Sequence, residues 1–226
     1  PNVPPEQCFA HRVRAHAYRV AERHGVIWAY LGPRQDAPPP LPAIEATWLP
    51  EHELDLSFTL RRCNWLQALE GDIDPSHFGF LHVGHLDPAQ VPAGHPLEHT
   101  ANDRAPRIET DSAPWGTRCA AWRVARPGVH YWRVTNAMFP FWTQTPGIAF
   151  ARNIQARAWV PLDDEHTMFI YWRRRGEPAP NAPLADGQPL GGTERTPDHE
   201  PNGTGWLDRF RPRAQEANDW LLDRQA

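Results

Sequence analysis

LEGDIDPSHFGFLH, residues 69–82, crowds three acidic residues and two histidines around one proline and two glycines. His77 and His82 stand five residues apart. On a regular α-helix each residue turns about 100°, so positions i and i+4 share a face whereas i and i+5 point roughly 140° apart. For both imidazoles to meet at one point the helix between them must be deformed, for example by a π-bulge, and Gly79 inside the interval lowers the cost of such a distortion. Asp74 and His77, at i and i+3, can touch directly. The same Asp74 followed by Pro75 also reads as a plain helix start, with Asp74 as N-cap and proline at the first helical position. Both readings stand on these residues alone.

A chain of 226 residues buries a substantial core and accommodates one or two domains. Its 40% hydrophobic and 22% charged residues are ordinary for a water-facing globular fold. No apolar run approaches a membrane span and no segment has the order of a signal peptide, so the expected location is the cytoplasm, with no membrane partner. Cys8, Cys63 and Cys119 are odd in number and far apart, which argues against a disulfide framework. A net charge of -4 gives no reason to expect nucleic acid. All 23 basic residues are arginine, a bias spread over the whole chain that suits carboxylate recognition without locating it.

Residues 11–31 alternate and then run apolar around Gly25, a hairpin pattern, and the Pro-rich 32–42 reads as a stiff linker, which puts a boundary near residue 40. Helix is expected over 61–70, ending at Gly71, and a loop over 83–105. Strands are expected at 116–126, 129–139, 148–160 and 166–175, joined by PG and PLDDE turns. Residues 176–205 read as a polar excursion and the last segment, from Trp206, as helical around a break at Pro212. Sequential strands with short turns make the fold class α+β, a twisted antiparallel sheet with the histidine helix and others on one side.

A mononuclear non-haem iron site that activates dioxygen uses two histidines and one carboxylate, leaving other positions open. His77 and His82 can supply the imidazoles, with Asp74 fixing the tautomer and aim of His77. NWLQALEGDIDPSHFGFLH, residues 64–82, resembles the iron motif of Rieske-type aromatic-ring hydroxylating oxygenase large subunits, in the phthalate dioxygenase and vanillate demethylase branch. Residues 12–33 resemble the tail of that family's Rieske domain, YWRVTNAMFP and AWVPLDDEHT its catalytic strands, and NDWLLDR the segment leading toward its last iron ligand.

The resemblance implies a helix-grip (START-like) catalytic domain over 41–226, preceded by the last strands of a Rieske domain over 1–40. It implies that His77 and His82 bind Fe(II). Asp74 would bridge a metal histidine to a Rieske histidine of a neighbouring subunit, and Asn64 would support the site, its plainer reading being a polar residue at a helix end. The implied partners are an aromatic acid or related ring, dioxygen, a flavin and iron–sulfur reductase, and two further copies in a homotrimer. The Rieske [2Fe–2S] cluster needs Cys-x-His and Cys-x-x-His pairs. Only CFAH, Cys8 to His11, has such a spacing, which reads as chance, so the cluster is expected outside this chain. The third iron ligand, an aspartate, is expected beyond Ala226, with Asp219 and Asp223 the nearest substitutes. The chain therefore reads as a piece of a longer subunit, inactive alone.

Other residues carry weaker patterns. His95 and His99 are four apart, but Gly94 and Pro96 deny them a helix and favour a solvated loop. His85 can replace His82 in a zinc-like arrangement, although zinc sites normally need three or four protein ligands. Asp163 to Thr167 is acidic enough for metal, yet a turn explains it. Trp115, Trp122, Trp132, Trp142, Trp159 and Trp172 either line a pocket for a planar ring or serve the core and sheet surface. A helix-grip module that carries an apolar or aromatic ligand without chemistry is the alternative function, and a metal-only hydrolase stands behind it.

Overall fold

The computed structural model describes residues 3–82, 87–95, 97–146, 154–175, 199 and 204–222. They fall into two compact units, Pro1–Ala43 and Ile44–Ala226.

In the first unit β1 (Arg19–Arg23) pairs antiparallel with β2 (Val26–Tyr30). The turn residues His24 and Gly25 are both left-handed, with φ of 51° and 73°, as a two-residue hairpin requires. The hairpin is shorter than the alternation of 11–31 implies: Ala10–Arg12 forms a 3-10 turn and residues 13–18 precede the paired strand. Gln35 fastens the proline-rich segment to it, donating to the Tyr30 and Gly32 carbonyls at 2.9 and 2.6 Å and accepting from Arg19 N at 2.8 Å.

In the second unit seven strands make one antiparallel sheet: β3 (Leu54–Arg61), β4 (Arg107–Ala113), β5 (Gly116–Arg126), β6 (Val129–Met138), β7 (Trp142–Gln144), β8 (Gln155–Pro161) and β9 (Thr167–Arg174). Their order across the sheet is β3-β9-β8-β7-β6-β5-β4, so the first strand returns beside the last. The strands expected at 116–126, 129–139 and 166–175 are present. Of the one expected at 148–160 the described part is β8; residues 147–153 lie outside the described ones, as do 176–198.

Three readings are corrected. Arg61 ends β3, whose alternating Leu54, Leu56, Phe58 and Leu60 follow the period of a strand, and the helix begins only after Asn64. This helix, α1 (Trp65–Ile73), runs through Gly71, where a Cβ would meet nothing within 4 Å. Residues 98–102 form a short helix, α2 (Glu98–Asn102), where a loop was expected. The described part of the C-terminal segment holds only 3-10 turns, Asp208–Phe210 and Glu216–Leu221. In the second of these Asp219, Trp220 and Leu221 are left-handed, a conformation no regular helix tolerates.

Trp65, Ala68, Leu69 and Ile73 repeat at helical spacing and put one stripe of α1 on the sheet, against Trp159, Phe169, Ala137 and Tyr171. The other face of β7–β9 buries Trp142, Ala156, Ala158, Met168, Ile170 and Trp172, and residues 45–48 pack against β8 and β9. A second cluster joins Val91, Leu97 and Ala101 to Phe78. Among the described residues no helix is long and apolar enough to cross a membrane.

Gly116 opens β5 at a φ of 148°, and a Cβ there would lie 2.0 Å from the Ala137 carbonyl oxygen. Gly116→Ala is expected to cost about 1–3 kcal/mol through strain and strand displacement, read as a lowered denaturation midpoint with an unchanged slope.

Candidate metal centre

Asn64 caps α1: its Oδ1 accepts from Leu66 N at 3.0 Å, and its Nδ2 donates to the Asp164 carbonyl in the β8–β9 turn at 3.2 Å. At the other end the chain leaves the helix at Asp74, whose backbone N–H still bonds the Glu70 carbonyl at 3.1 Å. Asp74 then caps the next turn. Its Oδ1 accepts from Ser76 N at 2.7 Å and its Oδ2 from His77 N at 3.2 Å. The same Oδ2 lies 3.5 Å from His77 Nδ1, with 42% of the Asp74 side chain and 23% of that of His77 exposed. The capping and the histidine-orienting readings of Asp74 are thus two aspects of one geometry.

Phe78–His82 is a π-helical turn. Its i to i+5 closure is the deformation the five-residue spacing demands, and it brings position 82 round to within one wide turn of position 77. The backbone of His82 ends this turn; its side chain lies outside the described part. Gly79 is buried, and a Cβ on it would stand 2.3 Å from the Arg104 carbonyl oxygen. Glycine is therefore required where the π turn rests on the backbone that follows α2, a reason independent of its flexibility.

With Asp74 facing Nδ1 of His77, a metal would take Nε2, the division of ring nitrogens found in carboxylate–histidine–metal arrangements. Among the described residues no group of three or more His, Cys, Asp and Glu side chains stands ready to hold a metal. A centre here needs the His82 ring and a further ligand from outside them. His85 and Asp223 also lie outside the described residues.

The acidic residue that the sequence leaves without a role is the most firmly held. Asp72 accepts hydrogen bonds from the Thr143 hydroxyl, from Arg157 Nη1 and, at 3.3 Å, from Trp159 Nε1. Its side chain is 8% exposed and that of Arg157 14%. Asp72 occupies the i+7 position of the apolar stripe that begins at Trp65, and a carboxylate in such a stripe is the signal that marks it. This network fastens the last turn of α1 to β7 and β8, two residues before Asp74.

The remaining candidates disperse. His95 is only 8% exposed, its Nδ1 accepting from Leu97 N at 3.1 Å, and His99 in α2 packs its ring 4.8 Å from that of Tyr131; neither belongs to a solvated loop. Asp163 accepts from Glu165 N and His166 N at 2.8 and 2.7 Å, the hydrogen bonds of a turn, and these amides hold its carboxyl below the ordinary value. Trp142, Trp159 and Trp172 are core, whereas Trp122 stacks on His130 at 4.2 Å and Trp132 and Trp115 are 44% and 40% exposed. The tryptophans share no single pocket among the described residues. Cys119 on β5 reports the sheet's nearness to the histidine segment: burial raises its thiol pKa, and the charge of Asp74 raises it further.

Residues 29–226 match the family described as LigXa C-terminal domain like, and the chain belongs to that family. It is 44% identical over 227 residues to the 3-chlorobenzoate-3,4-dioxygenase oxygenase subunit of Comamonas testosteroni, covering 99% of this chain and 52% of that protein. It is 31% identical over 234 residues to the phthalate 4,5-dioxygenase oxygenase subunit of Pseudomonas putida, covering 99% of this chain and 50% of that protein. It is 27% identical over 179 residues to the 5,5'-dehydrodivanillate O-demethylase oxygenase subunit of Sphingobium sp. strain SYK-6, covering 74% and 37%. The chain spans about half the length of the first two.

Removing one partner of a buried ion pair leaves the other uncompensated, so Asp72→Ala is expected to lower stability by about 3–5 kcal/mol. The double variant Asp72→Ala with Arg157→Met should lose less than the sum of the single changes, as a denaturant double-mutant cycle will measure. Gly79→Ala should displace the π turn from Arg104, lowering the metal content of the purified full-length protein more than its helix content by circular dichroism.

Proposed function

We propose that this chain is the catalytic part of a Rieske non-haem iron oxygenase subunit that hydroxylates or O-demethylates an aromatic acid with dioxygen. The observation that carries this reading is the π turn, which sets positions 77 and 82 one wide turn apart while Asp74 faces Nδ1 of His77. Membership of the family and the names of the relatives, all oxygenase subunits, support it and weigh against the ligand-carrier alternative. The three relatives are named for chlorobenzoate, phthalate and dehydrodivanillate, each an aromatic carboxylate, which supports an aromatic acid as substrate class.

In this reading His77 and His82 hold ferrous iron, with an aspartate from outside the described residues as third ligand. Iron bound there supplies the one-electron chemistry that dioxygen requires. Asp74 holds the Nδ1 proton of His77, fixes the ring's orientation and keeps Nε2 the ligating nitrogen. The exposed edge of Asp74 is suited to receive a hydrogen bond from a cluster-binding histidine of a neighbouring subunit, in the ring of three that the family resemblance implies. Asn64 acts at a distance, setting the start of the helix that carries Asp74. The [2Fe–2S] cluster belongs to a segment outside this chain, and a flavin and iron–sulfur reductase supplies the electrons.

In the full-length protein His77→Ala is expected to abolish iron binding, measured by metal analysis of the purified protein. Asp74→Asn should keep stoichiometric iron and lose at least about a hundredfold in turnover, since it removes the charge that fixes the histidine tautomer. Iron retained in His77→Ala, or full turnover in Asp74→Asn, overturns the assignment.

A further inference from the structure

The histidine turn is five residues of π-helix, a poor helix by itself, and what holds it in place lies on either side of it in the chain. Ahead of it, Asp72 in the last turn of α1 accepts from Arg157 Nη1 on β8 and from the Thr143 hydroxyl on β7, with Trp159 Nε1 at 3.3 Å. The start of α1 is tied separately. There Asn64 Nδ2 donates to the Asp164 carbonyl at 3.2 Å and the Thr167 hydroxyl to the Cys63 carbonyl at 2.8 Å. Loss of the Asp72 link therefore loosens the exit of the helix rather than the helix itself.

Behind the turn a second buried guanidinium plays the corresponding part from β5. Arg123 is 1% exposed, and its Nε donates at 2.6 Å to the carbonyl of Asp103, the residue that ends α2. The next carbonyl, that of Arg104, is the one on which Gly79 rests, since a Cβ on Gly79 would stand 2.3 Å from it. The Asp103 carboxylate goes to Ala105 N at 3.2 Å and to Arg107 at 3.4 Å. Phe78 packs on Val91, Leu97 and Ala101 of the same segment, but such contacts are non-directional. Desolvation opposes the burial of either guanidinium, and an apolar side chain would fill the same space without that penalty. What each guanidinium adds is direction, to a carboxylate two residues before Asp74 in one case and to the carbonyl one residue before Arg104 in the other.

We propose that Arg157, acting through Asp72, and Arg123, acting through the Asp103 carbonyl, are positioning residues for the iron-binding turn. The first sets where the chain leaves α1 for Asp74. The second sets the backbone shelf on which Gly79 lies between His77 and His82. The role rests on the reading of His77 and His82 as metal ligands. Groups that orient a ligand directly are worth about ten- to a hundredfold in metal affinity, and these two stand one step further out.

The test uses the full-length protein with its cluster oxidised and Co(II) as the probe of the mononuclear site. Affinity is read by competition with a chelator and geometry from the electron paramagnetic resonance spectrum of the bound Co(II), both without substrate. Arg157→Met and Arg123→Met are each expected to weaken Co(II) by roughly three- to tenfold and to shift the spectrum. Arg157→Lys and Arg123→Lys, which keep a donor, should recover part of both. Trp172→Phe, on the face of the sheet away from α1, should lower the denaturation midpoint and leave affinity and spectrum unchanged. If Arg123→Met does not fold, Arg123→Gln, neutral and shorter, takes its place. Wild-type affinity and spectrum in the Arg157 and Arg123 variants, or equal weakening in Trp172→Phe, overturns the positioning role; where His77→Ala abolishes Co(II) binding in the same experiment, the metal reading stands. Co(II) bound as tightly by His77→Ala as by the wild type overturns the metal reading, and the positioning role falls with it.

Discussion

One buried carboxylate governs the geometry of the candidate site. Asp72 lies in the apolar stripe of α1, where hydrophobic contacts with Trp159 and Phe169 would hold the helix down but leave it free to roll and slide. Hydrophobic burial is non-directional. The hydrogen bonds from Thr143, Arg157 and Trp159 are directional, and they fix the last turn of α1 to two strands at once. A buried ion pair adds little stability compared with a well-packed apolar replacement. Its contribution here is register: it determines where the chain leaves α1, and hence where Asp74 and the turn after it begin.

From that point the site is built by consecutive caps. The exit residue of α1 is also the cap of the following turn, so the carboxylate that binds the Ser76 and His77 amides is held in place to face the His77 ring. The π turn then absorbs the residue that a regular helix could not accommodate, and Gly79 lets this turn rest directly on the backbone of Arg104. Helix α1, the sheet and the segment after α2 therefore each constrain the same short stretch. A wide turn is intrinsically a poor helix, and it persists because its surroundings over-determine it.

The inner face of the sheet is polarised by the same logic. On β8 a guanidinium is matched by Asp72 and belongs to the scaffold. On β5 and β6, among the described residues, Arg123 and Arg133 donate to neutral oxygens, and the Arg133 guanidinium lies over Phe78. An arginine-only basic set gave no hint of which residues matter, since most strands carry some. The difference between them is a matter of pairing, which only spatial neighbours define.

Much of this was legible in the chain. The strands at 116–126, 129–139 and 166–175 follow from local β-branched and aromatic runs between turns, and the need for a deformed helix between His77 and His82 follows from angular arithmetic on their spacing. Helix termini and isolated short elements were read less well: β3 was hidden because its alternation adjoins a helix, and α2 is too short to show a period. What only the tertiary structure decided is long-range pairing: β3 beside β9, Asp72 against Arg157, Gly79 against Arg104, and Arg123 against the Asp103 carbonyl. Periodicity and capping are local properties of neighbouring residues, whereas a buried charge acquires its role from groups some 85 positions away, as Asp72 does from Arg157.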